Sequence, residues 1–345
     1  MRGWKKSAAL SAVIVAGAIS FTSCSDQKKA LVVYSPHGRE MLSEYERLYE
    51  QAHPEVDVTW FPMGAEMVIE RLRGERNNPQ ADLWWGGPSP LFEQGTREGL
   101  VSPYAPTWKG AAVDGSFDRT EHWFSTFQTA KVIGFNSDEL DVHSAPQDWD
   151  ELLDAKWAGK VIIRSPMESG TMKSVFAAMV YRFFVEDGTP DRGYDWLRHL
   201  DANTKAYAAS PATLMLMIGR KEGLVTLWDL TDILLQKREQ NVPMGFVIPR
   251  SGALVLNEGI AIVKGSPHRA EAERFYEFVS SKQAVLHQAE RFYRLPARND
   301  IADAEKPDWL RAIAIKELPV DWNAIGEHRE EWLRYWDQNI KGRNR

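Results

Sequence analysis

Residues 30–100 alternate between short apolar runs typical of strands and longer stretches whose apolar side chains recur at helical spacing. The predicted strands and the helices between them are, in order, residues 30–34, 39–53, 56–61, 66–73 and 81–85. Such alternation predicts a largely parallel sheet with helices on its faces, and ligands bind such sheets outside the carboxyl ends of the strands. The loops that follow those ends are residues 35–38, 63–65 and 86–89. We therefore expect these loops to lie together.

A second alternating region follows an extended segment at residues 124–136. Its predicted strands and helices are residues 160–164, 194–200, 211–220 and 224–228. A clear strand at 258–263 has the length to carry the chain back to the first region. A chain this long exceeds one typical hydrophobic core, so the sequence predicts an α/β protein with two lobes.

The N-terminus has the pattern of an export signal. Basic residues at positions 2, 5 and 6 precede an uncharged apolar stretch at 7–21, which is short for a membrane span. The sequence Phe-Thr-Ser-Cys at 21–24 resembles a bacterial lipobox, with Phe21 where leucine is usual. We therefore predict a lipoprotein signal peptide at 1–23, a lipidated Cys24 and a tether at 24–29. An ordinary signal peptide, with Cys24 incidental, is the alternative.

Composition and motifs exclude several classes of function. The net charge of −6 gives no basic surface for nucleic acid, so no nucleic-acid partner is expected. The chain has one cysteine, which lies in the export segment, and eight histidines, which are scattered along the sequence. No Gly-x-Ser-x-Gly, His-Glu-x-x-His or P-loop pattern occurs. We therefore expect neither an enzyme nor a bound cofactor.

Several motifs, taken in order, carry a resemblance to a known family. They are the strand and Ser-Pro-His-Gly loop at 31–38, Ala-Asp-Leu-Trp-Trp-Gly-Gly at 81–87, Ser-Gly-Thr at 169–171, Tyr-Arg-Leu-Pro-Ala-Arg at 293–298, and the tail from Pro319 through Trp332, Trp336 and Ile340. Together they resemble the ferric-ion-type branch of the periplasmic solute-binding proteins of ABC importers. This branch includes receptors for phosphorylated sugars and aminoalkyl phosphonates.

The resemblance implies a type II periplasmic-binding-protein fold, in which two strands cross between two lobes that close over a ligand. The crossings are expected near 124–136 and 257–263. The implied layout is an N-terminal lobe at 30–125 and 258–300, a C-terminal lobe at 135–256, and a helical tail at 301–345 packed on the C-terminal lobe. The implied protein is a monomer that delivers a small-molecule ligand to an ABC permease. With the lipidated Cys24 predicted above, it is expected in the periplasm or at the cell surface, anchored to a membrane.

The ligand predicted from these residues is a small organic anion. Ferric receptors of this branch resemble one another in a pair of adjacent tyrosines, whereas the matching stretch here, residues 227–232, is Leu-Trp-Asp-Leu-Thr-Asp. No metal site is therefore predicted. Ser-Gly-Thr at 169–171 begins a helix after a strand, where free N–H groups and the helix dipole favour an anion. We expect a phosphorylated or phosphonate-bearing solute; a ferric receptor and a ligand-presenting partner of a membrane sensor are the alternatives.

Twelve residues are candidates for ligand contact at the strand ends. They are Ser35, His37, Gly64, Trp85, Gly86, Gly87, Ser169, Gly170, Thr171, Trp228, Asp229 and Arg250. Each has an ordinary structural interpretation beside the functional one: helix capping for the hydroxyls, turns for the glycines, core packing for the tryptophans. Arg164 also ends a strand, and we interpret it as a solvated surface residue.

Overall fold

The computed structural model describes residues 28–343, so the predicted signal peptide and Cys24 lie outside the described residues. Its first part alternates strands and helices as the sequence predicts. These elements are β1 Lys29–Ser35, α1 Arg39–Ala52, β2 Val56–Pro62, α2 Ala65–Gly74, β3 Leu83–Pro88, α3 Ser89–Arg97, β4 Val101–Ser102 and β5 Phe124–Asn136.

The second part of the chain alternates likewise and then returns to the first lobe. Its elements are β6 Val161–Arg164, α4 Gly170–Asp187, α5 Asp191–Asn203, β7 Thr204–Ala208, α6 Pro211–Gly219, β8 Val225–Asp229, α7 Leu230–Gln240, β9 Met244–Val247, β10 Leu254–Val263, α8 Arg269–Ser280, α9 Lys282–Phe292, β11 Leu295–Pro296, α10 Asp308–Arg311 and α11 Trp322–Asn339.

The strands form one continuous sheet in the order β2-β1-β3-β10-β5-β8-β6-β7. Pairing is parallel within each lobe: β1 pairs with β2 and β3, and β6 pairs with β7 and β8. It is antiparallel where β10 and β5 join the two halves. The predicted parallel sheet is therefore present within each lobe and interrupted at the crossing.

The two crossing strands, β5 and β10, are long because each contributes to the cores of both lobes. Phe127 of β5 lies in the first-lobe core, and Ile133, further along the same strand, lies in the second-lobe core. In the same way Leu254 of β10 packs in the second lobe and Ile262 in the first. A two-lobed α/β fold with two crossing strands is thereby confirmed.

The C-terminal helix α11 packs on the second lobe. Asp321 caps it by accepting from the N–H groups of Asn323 and Ala324 at 2.9 and 3.1 Å. Trp332 and Trp336 are fully buried in the second-lobe core. Across residues 28–343, the structure contains no helix with the length and hydropathy needed to span a membrane.

Three charged side chains join α11 and the two lobes. Glu66 of α2, in the first lobe, lies 3.4 Å from Lys173 Nζ of α4 and 3.7 Å from Arg329 Nη2 of α11. Arg329 is buried and also pairs with Glu330 at 3.0 Å. The described conformation therefore has ion pairs between the lobes beside the start of α4.

Candidate ligand-binding cleft

A cavity of about 520 Å³ lies between the lobes at the carboxyl ends of the strands. Six helices begin at its wall, three from each lobe. Their N-cap residues are Gly38 (α1), Gly64 (α2), Pro88 (α3), Ser169 (α4), Ser210 (α6) and Asp229 (α7). The first N–H groups of a helix have no acceptor within it, and the dipole makes that end partially positive. The wall is therefore suited to an anion.

The six N-cap residues differ in whether their side chains accept hydrogen bonds from the free N–H groups at the helix start. Ser169 Oγ accepts from Met172 N at 3.2 Å, and Ser210 Oγ accepts from Thr213 N at 3.1 Å. Ser169 thus has the ordinary capping role considered from the sequence. The caps of α1, α2 and α3 are glycine or proline and make no side-chain cap bond. The first lobe therefore keeps more of its helix-start donors for a ligand.

His37 is held at the first-lobe side of the cavity by a layer of residues beneath it. Ser35 Oγ accepts from His37 N at 3.1 Å, and Trp85 and Phe127 pack against the imidazole with ring centroids 5.1 and 5.2 Å away. A Cβ on Gly86, where φ is +101°, would lie 2.4 Å from His37 Cε1. Burial, together with the nearby guanidinium of Arg294, lowers the pKa of His37 well below its usual value. The imidazole is therefore neutral at physiological pH.

The structure brings together most of the predicted ligand-binding residues. The cavity wall includes His37, Gly64, Gly87, Ser169, Gly170, Thr171, Trp228 and Asp229. Ser35, Trp85 and Gly86 lie one layer beneath the wall and position His37. Arg250 lies outside the wall: its side chain is 68% exposed, and its guanidinium pairs with Glu151.

Arg164 corrects the interpretation made from the sequence. It is buried and lines the cavity, so the surface interpretation was wrong. Its Nη1 donates to Ala208 O at 3.1 Å and to Glu168 Oε2 at 2.9 Å, and its Nη2 donates to Glu168 O at 2.8 Å. These bonds engage the guanidinium of Arg164 and hold the loop that leads into α4.

A buried charge network on the crossing strands was missed by sequence reasoning. Lys131 of β5 is fully buried, and its Nζ donates to Thr129 Oγ1 at 2.7 Å and to Asp229 Oδ1. Thr129 donates in turn to Glu258 Oε1 at 3.3 Å, and Gly87 N donates to Glu258 Oε2 at 2.8 Å. Burial raises the pKa of Glu258. The sequence did carry a signal for this network: each crossing strand is largely apolar and contains one charged residue, Lys131 in β5 and Glu258 in β10.

Asp232 adds a further carboxyl group beside Asp229. Trp228 Nε1 donates to Asp232 Oδ2 at 2.8 Å, so the indole of Trp228 is held at the second-lobe wall. Burial and the neighbouring Asp229 raise the pKa of Asp232. Within residues 28–343, no group of three or more His, Cys, Asp or Glu side chains is arranged to hold a metal ion.

The raised pKa of Asp232 has a testable consequence for stability. Above that pKa the folded ligand-free protein holds a partly buried charge that the unfolded chain exposes fully to water, so the carboxylate destabilises the fold at neutral pH. Asp232→Asn keeps an oxygen that can accept from Trp228 and removes the charge. We expect the variant to unfold at higher urea than wild type at pH 7, with the difference lost as pH falls below the ordinary value of 3.8. A pH-independent difference would contradict this explanation.

A two-lobed α/β fold with a cleft at its strand ends is typical of solute-binding proteins. The chain belongs to the bacterial extracellular solute-binding proteins, whose family model matches residues 79–325. It is 27% identical to a probable ABC transporter periplasmic-binding protein of Sinorhizobium fredii, over 96% of this chain and 91% of that one. It is 26% identical to a putative 2-aminoethylphosphonate-binding periplasmic protein of Salmonella typhimurium, over 77% of each.

Solved structures share the fold. The periplasmic binding protein AfuA from Actinobacillus pleuropneumoniae, with fructose-6-phosphate bound, is 24% identical, with a TM-score of 0.78 over 91% of this chain and 99% of that one. The ferric binding protein from Campylobacter jejuni is 20% identical, with a TM-score of 0.79 over 89% and 98%. The family and the fold of this chain are those of substrate-binding proteins and not of enzymes.

Proposed function

We propose that the protein captures a small organic solute bearing a phosphate or phosphonate group in the cleft and delivers it to an ABC permease. The observation that carries this proposal is the convergence of six helix N-termini on one cavity. Free N–H groups and helix dipoles together favour a compact anion. The cavity volume of about 520 Å³ lies in the range of small-molecule sites.

The remainder of the wall suits the organic part of such a ligand. The carboxyl groups of Asp229, Asp232 and Glu258 can accept hydrogen bonds from hydroxyl groups or pair with an ammonium. Relatives support both possibilities, since one structure holds fructose-6-phosphate and one relative is named for 2-aminoethylphosphonate. His37 and Trp228 complete the proposed contacts.

Calorimetric titration of the mature protein tests the ligand class. The probes are fructose-6-phosphate, 2-aminoethylphosphonate and inorganic phosphate, each phosphorylated compound paired with its parent: fructose for the sugar, ethylamine for the phosphonate. We expect binding of at least one phosphorylated or phosphonate compound and at least 100-fold weaker binding of its parent, because the parent leaves the helix-start donors unpaired. Binding only of ferric ion, the competing ligand among the structural neighbours, or only of a polyamine would refute the proposal.

The lipid anchor on Cys24 is the second part of the proposed function. Two or more acyl chains hold a soluble domain firmly at a membrane, and an anchor would keep the binding protein near its permease. Cys24→Ala should therefore move the protein to the soluble periplasmic or secreted fraction and leave ligand affinity unchanged. A Cys24→Ala protein that stays with the membrane fraction would show that the export segment is not a lipoprotein signal.

A further inference from the structure

Arg294 lies on the cavity wall in the segment that links α9 to β11. Tyr293, in the left-handed conformation with φ of +54°, ends α9, and Arg294 N donates to Gln288 O at 3.3 Å. Immediately afterwards Leu295 pairs with Gln128 of the crossing strand β5. The backbone of Arg294 is therefore fixed on both sides.

The guanidinium of Arg294 is positioned by an aromatic ring. Its Cζ lies 4.8 Å from the centroid of Phe127, the same ring that packs against His37. Stacking on an aromatic face orients a guanidinium and leaves its edge donors free. Phe127 is fully buried in the first-lobe core, so this support is rigid.

The donors of Arg294 have no acceptor in the part of the chain that the structure describes. Its Nε is buried with no hydrogen-bond partner, and no ion pair of Arg294 occurs among residues 28–343. The other cations at the cleft differ: Arg164 is occupied by Ala208 and Glu168, and Lys131 by Thr129 and Asp229. Leaving a buried donor of a charged group unpaired is costly, which indicates that a partner for Nε comes from outside the chain.

Other charged groups are near Arg294 and remain beyond contact. Its charge opposes the effect of burial on Asp232 and Glu258, whose pKa values remain raised. On His37 its charge adds to the effect of burial, and both lower the pKa. Neither carboxylate reaches ion-pair distance, so neither serves as its direct partner in residues 28–343.

We infer that Arg294 is a specificity-determining residue that binds the anionic group of the ligand through two parallel N–H···O bonds. This inference rests on the proposed function for the phosphate or phosphonate, and its geometry also suits a carboxylate. A guanidinium matches the spacing of two oxygens on one such group, whereas an ammonium binds as a point charge. Arg294 selects ligands that present such a group beside Phe127.

The test compares Arg294→Gln and Arg294→Lys with a matched control, Arg238→Gln. Arg238 also stacks on an aromatic ring, 4.8 Å from the centroid of Tyr293, but lies outside the cleft and donates to Arg291 O at 2.7 Å. For the phosphorylated or phosphonate probe that wild type binds best, we expect a Kd about 100-fold higher in Arg294→Gln, about 10-fold higher in Arg294→Lys and changed less than 2-fold in the control.

A purely structural role predicts a different result. It lowers affinity for the phosphorylated probe and for its parent compound by the same factor, and that finding overturns the inference. Unchanged affinity in Arg294→Gln overturns it as well. If wild type binds a carboxylate ligand and no phosphorylated one, the proposed function fails, and the same losses measured with that carboxylate still support the role of Arg294. If wild type binds only a metal or a polyamine, both fail.

Discussion

Lys131→Met should lower the free energy of unfolding by about 3–5 kcal/mol, because it removes one partner of a buried ion pair and leaves the other charged. Lys131 is fully buried and donates to Asp229 and Thr129. Glu258, which accepts from the same Thr129, loses the cation that most lowers its pKa. The measurement is urea unfolding of the ligand-free protein at pH 7.

The pH dependence identifies the cause of that loss. Without Lys131 the pKa of Glu258 in the folded state rises further, because Lys131 is the charge that most lowers it, so the deficit should shrink as pH falls from 7 to 5. Adding Asp229→Asn should recover part of the stability. Lys237→Met, at an exposed position, is the control and should change the free energy by less than about 0.5 kcal/mol. A pH-independent loss would point to packing and not to the stranded charge.

Gly86→Ala should lower the free energy of unfolding by about 2–4 kcal/mol and weaken ligand binding at least 10-fold. Two effects add: φ of +101° strains any residue with a Cβ, and that Cβ would lie 2.4 Å from His37 Cε1. His37 must then move from its place on Trp85 and Phe127. Urea unfolding measures the loss of stability. Calorimetric titration with the probe that wild type binds best measures the loss of affinity.

Two further variants separate strain from displacement. Gly115 has φ of +76° and open space around its Cβ position, so Gly115→Ala reports strain alone. We expect it to be destabilised by about 1 kcal/mol and to bind ligand normally. Gly86→Ala combined with His37→Ala removes the clash, so it should be more stable than the sum of the two single changes predicts. Normal binding by Gly86→Ala would show that His37 does not contact the ligand.

The fold was largely predictable because periodicity and chain breaks mark its elements. The predicted crossing at 124–136 coincides with β5. The other crossing strand, β10, begins at Leu254 and not at 257, because Leu254 and Val255 pack in the second-lobe core. Such tertiary packing has no local signal in the sequence.

The site was predictable where it consists of loops and was not where it depends on contacts between distant residues. The strand-end rule placed His37 and Ser169 at the cavity. It gave no reason to pair Lys131 with Asp229, because that bond forms only when β5 and β8 become neighbours. Arg294 stood within a recognised motif but had no assigned role, since its position depends on the left-handed backbone of Tyr293.

The contact of Glu66 with Lys173 and Arg329 has a consequence for how the two halves of the molecule separate. Charged groups pulled apart become hydrated, whereas apolar surfaces pulled apart expose hydrocarbon to water. Release of this contact therefore carries no hydrophobic cost, and its strength falls as dissolved ions screen the charges. We therefore expect added salt to ease separation of the two lobes, by less than it would for exposed ion pairs, because Arg329 is buried.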